Sequence, residues 1–123
     1  MYRVILSADK PVCPYLGLER VFAIIGLRYR NYINILDFYE LPNTSETPTT
    51  KFSVYRVDLL PIENSLVPPE KFLGFAHTHP NGEHEPSWED IEGIREGDVG
   101  LVMSGKRLVF YNNKGISTHY FLE

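Results

Sequence analysis

One stretch restricts what this chain can fold into more than any other: Gly74 to Asp90, G-F-A-H-T-H-P-N-G-E-H-E-P-S-W-E-D. It sets His77 and His79 two residues apart and ends in Ser87 and Asp90. On a β-strand, residues i and i+2 project from one face, so both imidazoles can address one ion. Asp90 can supply a third ligand if the chain folds back through a loop. Two histidines and a carboxylate with an open fourth position is a common way to hold a catalytic zinc. The same set also suits Fe(II) or Co(II).

The rest of the chain reads as strands around this stretch. Tyr2 to Leu6 is a short strand. Pro11 and Pro14 argue against a regular helix between Ala8 and Leu18. Arg20 to Leu27 is apolar and rich in β-branched residues, as expected of a central strand buried on both faces. Tyr32 to Leu41 is another strand, and Pro42 to Thr50 is a loop of Thr, Ser, Pro and Asn. Lys51 to Asp58 alternates in a strand-like way. Leu59 to Glu70, with three prolines, is a connection with room for one helical turn. Phe72 to His79 is the strand carrying the histidines, and Pro80 to Pro86 is a loop. Ser87 to Glu96 is the one well-marked helix, with Ser87 as N-cap and Gly97 closing the end. Its apolar residues, Trp88, Ile91 and Ile94, are expected to face the core. Val99 to Met103, Leu108 to Asn112 and Ile116 to Leu122 form a meander with turns S-G-K and N-N-K-G. The expected fold is a single β-rich α/β domain over residues 1–123, with a mixed sheet and few helices.

Composition narrows the function. At 123 residues, 43% hydrophobic and 13% aromatic, the chain can build a real core. A formal charge of −4 argues against nucleic-acid binding by bulk electrostatics. Much of the acidity lies between Glu83 and Asp98, where a dication would offset it. Cys13 is the only cysteine, which excludes an intrachain disulfide and fits a reducing compartment. No signal-peptide pattern is present, and the longest apolar run, Val21 to Leu27, is too short to span a bilayer. The expectation is a cytoplasmic protein that binds neither nucleic acid nor membrane. Tyr2, Tyr29, Tyr32 and Tyr39 suit either half-buried sheet positions or an interface, and the oligomeric state stays open.

His-Thr-His-Pro, then six residues, then Ser-x-x-Asp resembles the metal motif of the JAMM (MPN-plus) zinc metalloproteases. The lead-in P-P-E-K-F-L-G-F-A and the D-V-G-L-V-M segment after the helix are similar too, and the resemblance runs from about Glu19 to the C-terminus. It implies an MPN-type domain with one zinc per chain on His77, His79 and Asp90. Ser87 would stand beside the oxyanion. The family's glutamate heads an apolar strand seven residues before a glycine, which points to Glu19 ahead of Gly26. Glu40, Glu46 and Glu63 head no comparable strand. The chain departs from the family in two places. Pro11 and Pro14 leave little more than a turn where a helix is usual, and Phe22 stands where a small residue is frequent.

The resemblance implies a zinc-dependent peptidase or isopeptidase, with Glu19 as proton shuttle. Its substrate would be a ubiquitin-like or sulfur-carrier protein with a glycine-ended tail. The short regions Pro42 to Thr50 and Leu59 to Glu70 suggest a minimal, prokaryote-like or phage-like member. Two other functions fit relatives of this family: a silent protein-binding module, or a phage tail-associated processing hydrolase. Read without the family, Ser87 and Asp90 are a capping box, which is compatible with a metal role. His84 is expected on a surface loop, and His119 in the last strand is expected to be structural.

Overall fold

A computed structural model describes residues 3–7, 19–45, 52–79, 85–104 and 107–121. The elements run β1 (Arg3–Leu6), β2 (Val21–Arg28), β3 (Tyr32–Leu41), α1 (Arg56–Ser65), β4 (Lys71–Thr78), α2 (Trp88–Gly93), β5 (Val99–Ser104), β6 (Arg107–Asn112) and β7 (Gly115–Phe121). The strands form one mixed sheet in the order β1-β3-β2-β4-β5-β6-β7. β1–β3 and β4–β5 are parallel. The other neighbours are antiparallel. The parallel β4–β5 pair needs a crossover connection rather than a hairpin, and α2 lies in that crossover.

β2 is the buried central strand its composition requires: Val21 to Gly26 are all buried, between β3 and β4. Its alternate residues separate into two apolar clusters. Phe22 and Ile24 join Ile33, Ile35, Leu101, Met103 and Phe110. Val21 and Ala23 join Leu41 and Leu59, with Phe52, Val54, Phe72 and Phe75 packed against them. Full burial of one such side chain contributes about 1.5–3 kcal/mol, so these two clusters set the register of the sheet. Gly74 serves a close approach. Its φ is +150°, and a Cβ there would collide with the Val99 carbonyl oxygen of β5.

The segment after β3 differs from its expected form. Phe52 to Tyr55 pairs with no sheet strand among the described residues, and Tyr55 is extended as it enters the next helix. The segment is held to the chain by Thr44 N–H donating to the Ser53 carbonyl at 2.9 Å. The alternation of Phe52 and Val54 reflects packing on the second cluster, not strand pairing. α1 then covers Arg56–Ser65, well beyond one turn. Leu59 and Ile62, three residues apart, face that cluster. Pro61 is inside the helix. Its missing N–H would have served only the carbonyl of Val57, four residues back, and Val57 is exposed.

α2 is shorter than expected and ends at Gly93, because Ile94 turns extended (φ −81°, ψ 139°). Trp88 is not a core residue: it is 73% exposed. It is the first helical residue, two before Asp90. A two-residue step turns a helix by about 200°, so Asp90 facing the sheet turns Trp88 outward. Ile91 and Ile94 are half-buried. The remaining strand boundaries lie within one or two residues of expectation, the usual scatter. Tyr29 and Tyr32 stack on each other at 4.5 Å. Tyr2, Pro11, Cys13, Pro14, Glu46 and His84 lie outside the described residues, as does the side chain of His119. Among the described residues no helix is long and apolar enough to cross a membrane.

Candidate metal centre

The end of β4 brings the histidines inward. His77 is fully buried and pairs with Val21 of β2 and Val102 of β5. His79 lies just past the strand, where its N–H still reaches the Met103 carbonyl at 3.2 Å. Both rings point their Nε2 atoms at the same place, 3.1 Å apart. Glu19 stands two residues before Val21, so the β2–β4 register carries it to the same spot. Two bonds fix that approach: Thr78 N–H donates to the Arg20 carbonyl at 2.9 Å, and Arg20 N–H donates to Thr78 Oγ1 at 2.8 Å. Asn43 Nδ2 also donates to the Glu19 carbonyl at 2.9 Å. The Glu19 carboxylate is buried, with Oε1 3.9 Å from His77 Nε2.

Asp90 arrives from the first turn of α2. Ser87 and Asp90 form the expected capping box. Asp90 N–H donates to Ser87 Oγ at 3.1 Å, and Ser87 N–H donates to Asp90 Oδ2 at 2.8 Å. That same Oδ2 lies 3.1 Å from His77 Nε2 and 3.3 Å from His79 Nε2. The cap thus aims the carboxylate at both imidazoles.

These distances test whether the residues suit a metal. Ligands at about 2.0–2.1 Å in a tetrahedron lie roughly 3.3 Å from one another. The triangle of His77 Nε2, His79 Nε2 and Asp90 Oδ2 has edges of 3.1, 3.1 and 3.3 Å, close to one face of such a tetrahedron. Glu19, His77 and His79 also keep their ligand-capable atoms within 4.8 Å of one another and could hold a metal ion. Of the two carboxylates, Asp90 is nearer His77, at 3.1 Å against 3.9 Å for Glu19.

The protonation states suit a cation. Burial pushes the His77 pKa down, against the opposing pull of Asp90, so the imidazole is neutral, the form that binds metals. Burial alone would raise Asp90, but hydrogen bonds from His77, His79 and the Ser87 N–H hold its carboxyl far below the usual carboxylate range. His77 Nδ1 is buried with no hydrogen-bond partner among the described residues. Packing orients this ring instead, with Phe52 at 4.5 Å and Tyr111 edge-on at 6.3 Å.

A cavity of about 460 Å³ opens beside the triangle. Phe52, Val54, Phe72 and Phe75 give it an apolar floor, and Ser87, Asp90 and Tyr111 form the wall shared with the site. Arg56, Glu63, Arg95 and Asp98 also line it. Burial, followed by the charges of Asp90 and Glu19, raises the Tyr111 pKa, so it is a neutral phenol. Glu40 is elsewhere, paired with Arg20 at 2.7 Å, and Glu63 lines the cavity without reaching the triangle. Phe52 and Tyr111 carry no functional mark of their own in the sequence. The available signal was Gly100 inside the apolar V-G-L-V run, since a glycine within a strand marks a close approach.

No protein-family model matches this sequence, and no curated protein matches it. Among solved structures, protein DSY2949 from Desulfitobacterium hafniense is similar over 89% of this chain and 80% of its own, at 20% identity and a TM-score of 0.67. The likeness is one of fold. A JAB1/MPN domain protein from Archaeoglobus fulgidus, AF2198, aligns more loosely over the same shares, at 19% identity and a TM-score of 0.47.

Proposed function

We propose that this chain is a zinc-dependent peptidase or isopeptidase of the JAMM type. The observation that carries the reading is the donor triangle of His77, His79 and Asp90 with a second buried carboxylate, Glu19, standing just behind it. His77, His79 and Asp90 would hold the ion. Bound there, zinc would supply a Lewis acid that makes hydroxide available near neutral pH.

The chain's own groups supply the rest. Glu19 accepts the proton of the attacking water and passes it to the departing amine, so water and amide become acid and amine. Its burial and its 3.9 Å separation from His77 suit a base that is not itself a ligand. The Ser87 oxygen accepts from Asp90 N–H, which leaves its O–H to donate to the developing oxyanion. The resemblance points to a ubiquitin-like or sulfur-carrier protein with a glycine-ended tail as substrate. A silent binding module has no need of this donor set.

The test is Glu19→Gln, assayed on a glycine-tailed fusion and on an isopeptide-linked substrate. The variant keeps about one zinc per chain and loses about 10²–10⁴-fold in rate. Full activity in Glu19→Gln would sink the assignment.

A further inference from the structure

The cavity beside the donor triangle has an apolar floor and several polar groups around it, and one of those groups is built in with care. Tyr111 of β6 pairs with Gly100 of β5, and Gly100 pairs with Phe75 of β4. Phe75 and His77 share a face of β4, so Gly100 and Tyr111 lie on the face that carries the metal centre. A Cβ at Gly100 would fall against Tyr111 Cζ, Cε1 and Cε2. The far end of the ring therefore lies flat over the glycine. Adjacent strands are about 4.8 Å apart, so a ring whose Cζ is over β5 carries its hydroxyl on toward β4. Tyr111 is 2% exposed, yet it lines the cavity, and its ring meets His77 edge-on at 6.3 Å. Among the described residues the phenol has no hydrogen-bond partner. Buried phenols normally find one, and apolar surface with a few placed polar groups is the usual form of a ligand site.

We propose that Tyr111, seated over Gly100, is a positioning residue that donates a hydrogen bond to a main-chain carbonyl of a peptide segment held in this cavity. The cavity floor of Phe52, Phe72 and Phe75 takes an apolar side chain of that segment, of leucine or phenylalanine size. A run of glycines would leave most of 460 Å³ unfilled. The segment is thus a peptide whose residues ahead of the glycines are apolar. The proposal depends on the hydrolase reading only for the identity of the peptide.

The test uses the full chain, zinc-loaded and carrying Glu19→Gln so that nothing is turned over. The probe is a blocked pentapeptide, leucine-alanine-leucine-glycine-glycine. Binding is measured by isothermal titration calorimetry. Adding Tyr111→Phe weakens binding about tenfold, with zinc content and melting temperature unchanged. In the active protein Tyr111→Phe raises KM about tenfold and moves kcat by less than about twofold. Gly100→Ala, which displaces the ring without removing the hydroxyl, weakens binding in the same direction. Equal binding with and without Tyr111→Phe overturns the proposal, and so does failure of the pentapeptide to bind at all. Binding that weakens in Tyr111→Phe, with no cleavage by the wild type, upholds the proposal and defeats the hydrolase reading instead.

Discussion

Ser87 carries two possible duties, and two substitutions separate them. Its oxygen caps α2 by accepting from Asp90 N–H at 3.1 Å. Its O–H is the donor proposed for the oxyanion. Alanine removes both, whereas glycine is itself a tolerable N-cap and removes chiefly the hydroxyl. Loss of a serine cap to alanine costs about 1 kcal/mol, and loss to glycine only about a few tenths. Unfolding entropy near 2.1 cal/mol/K per residue, over 123 residues, gives roughly 0.26 kcal/mol per degree. Ser87→Ala should therefore lower Tm by about 4 °C and Ser87→Gly by about 1 °C. Zinc content should stay near one per chain in both, because the 2.8 Å bond that steers Asp90 Oδ2 comes from the Ser87 main-chain N–H. Cleavage should fall about 10²–10³-fold in both, the usual effect of one oxyanion donor. Thermal melts, metal analysis and initial rates on one glycine-tailed substrate measure all three. If Ser87→Gly cleaves at the wild-type rate, the hydroxyl has no part in the chemistry and the serine is only a cap.

Two further outcomes are expected. His77→Ala should abolish zinc binding. At zinc a hundredfold above Kd the wild type gains about 2.7 kcal/mol, or about 10 °C in Tm, and the variant gains nothing. Zinc retained by the variant in mass spectrometry would mean the donors are wrongly assigned. Metal-free protein should also lose stability on acidification. The folded His77 pKa lies below its ordinary value, so the unfolded chain binds more protons, and this contribution is present above about pH 6.5 and is lost as pH falls through the folded value. Asp90, also depressed, adds a second loss below about pH 4. Denaturant midpoints that stay flat from pH 7 to 5 would contradict the His77 part.

How much could be read ahead of the structure depended on which residues carried their own geometry. The apolar run Val21 to Leu27 identified the central strand because burial on both faces leaves no polar positions. His77 and His79 identified their shared face because strand period alone sets it. Ser87 and Asp90 could be read as a cap for the same local reason. α1 was hidden because Phe52 and Val54 alternate like a strand and Pro61 reads as a breaker. Its helix is fixed by Leu59 and Ile62 meeting a cluster that only the sheet creates. Trp88 is apolar yet exposed because its direction follows from where Asp90 points, and that is a tertiary fact. The Tyr111 and Gly100 pairing was out of reach, since the two residues meet only through the β5–β6 register.

His77 and Asp90 are only thirteen residues apart, with His79 between them. Glu19 and the sheet register belong to the folded state alone, but these three donors stay on one short tether even in an unfolded chain. Closing so small a loop costs little entropy. Zinc therefore has a foothold in the denatured ensemble as well as in the native one, and affinity for the first subtracts from the stabilisation that the second provides. Capture of the ion by this tether ahead of sheet closure would leave the site charged with metal before the β2–β4 pairing delivers the base.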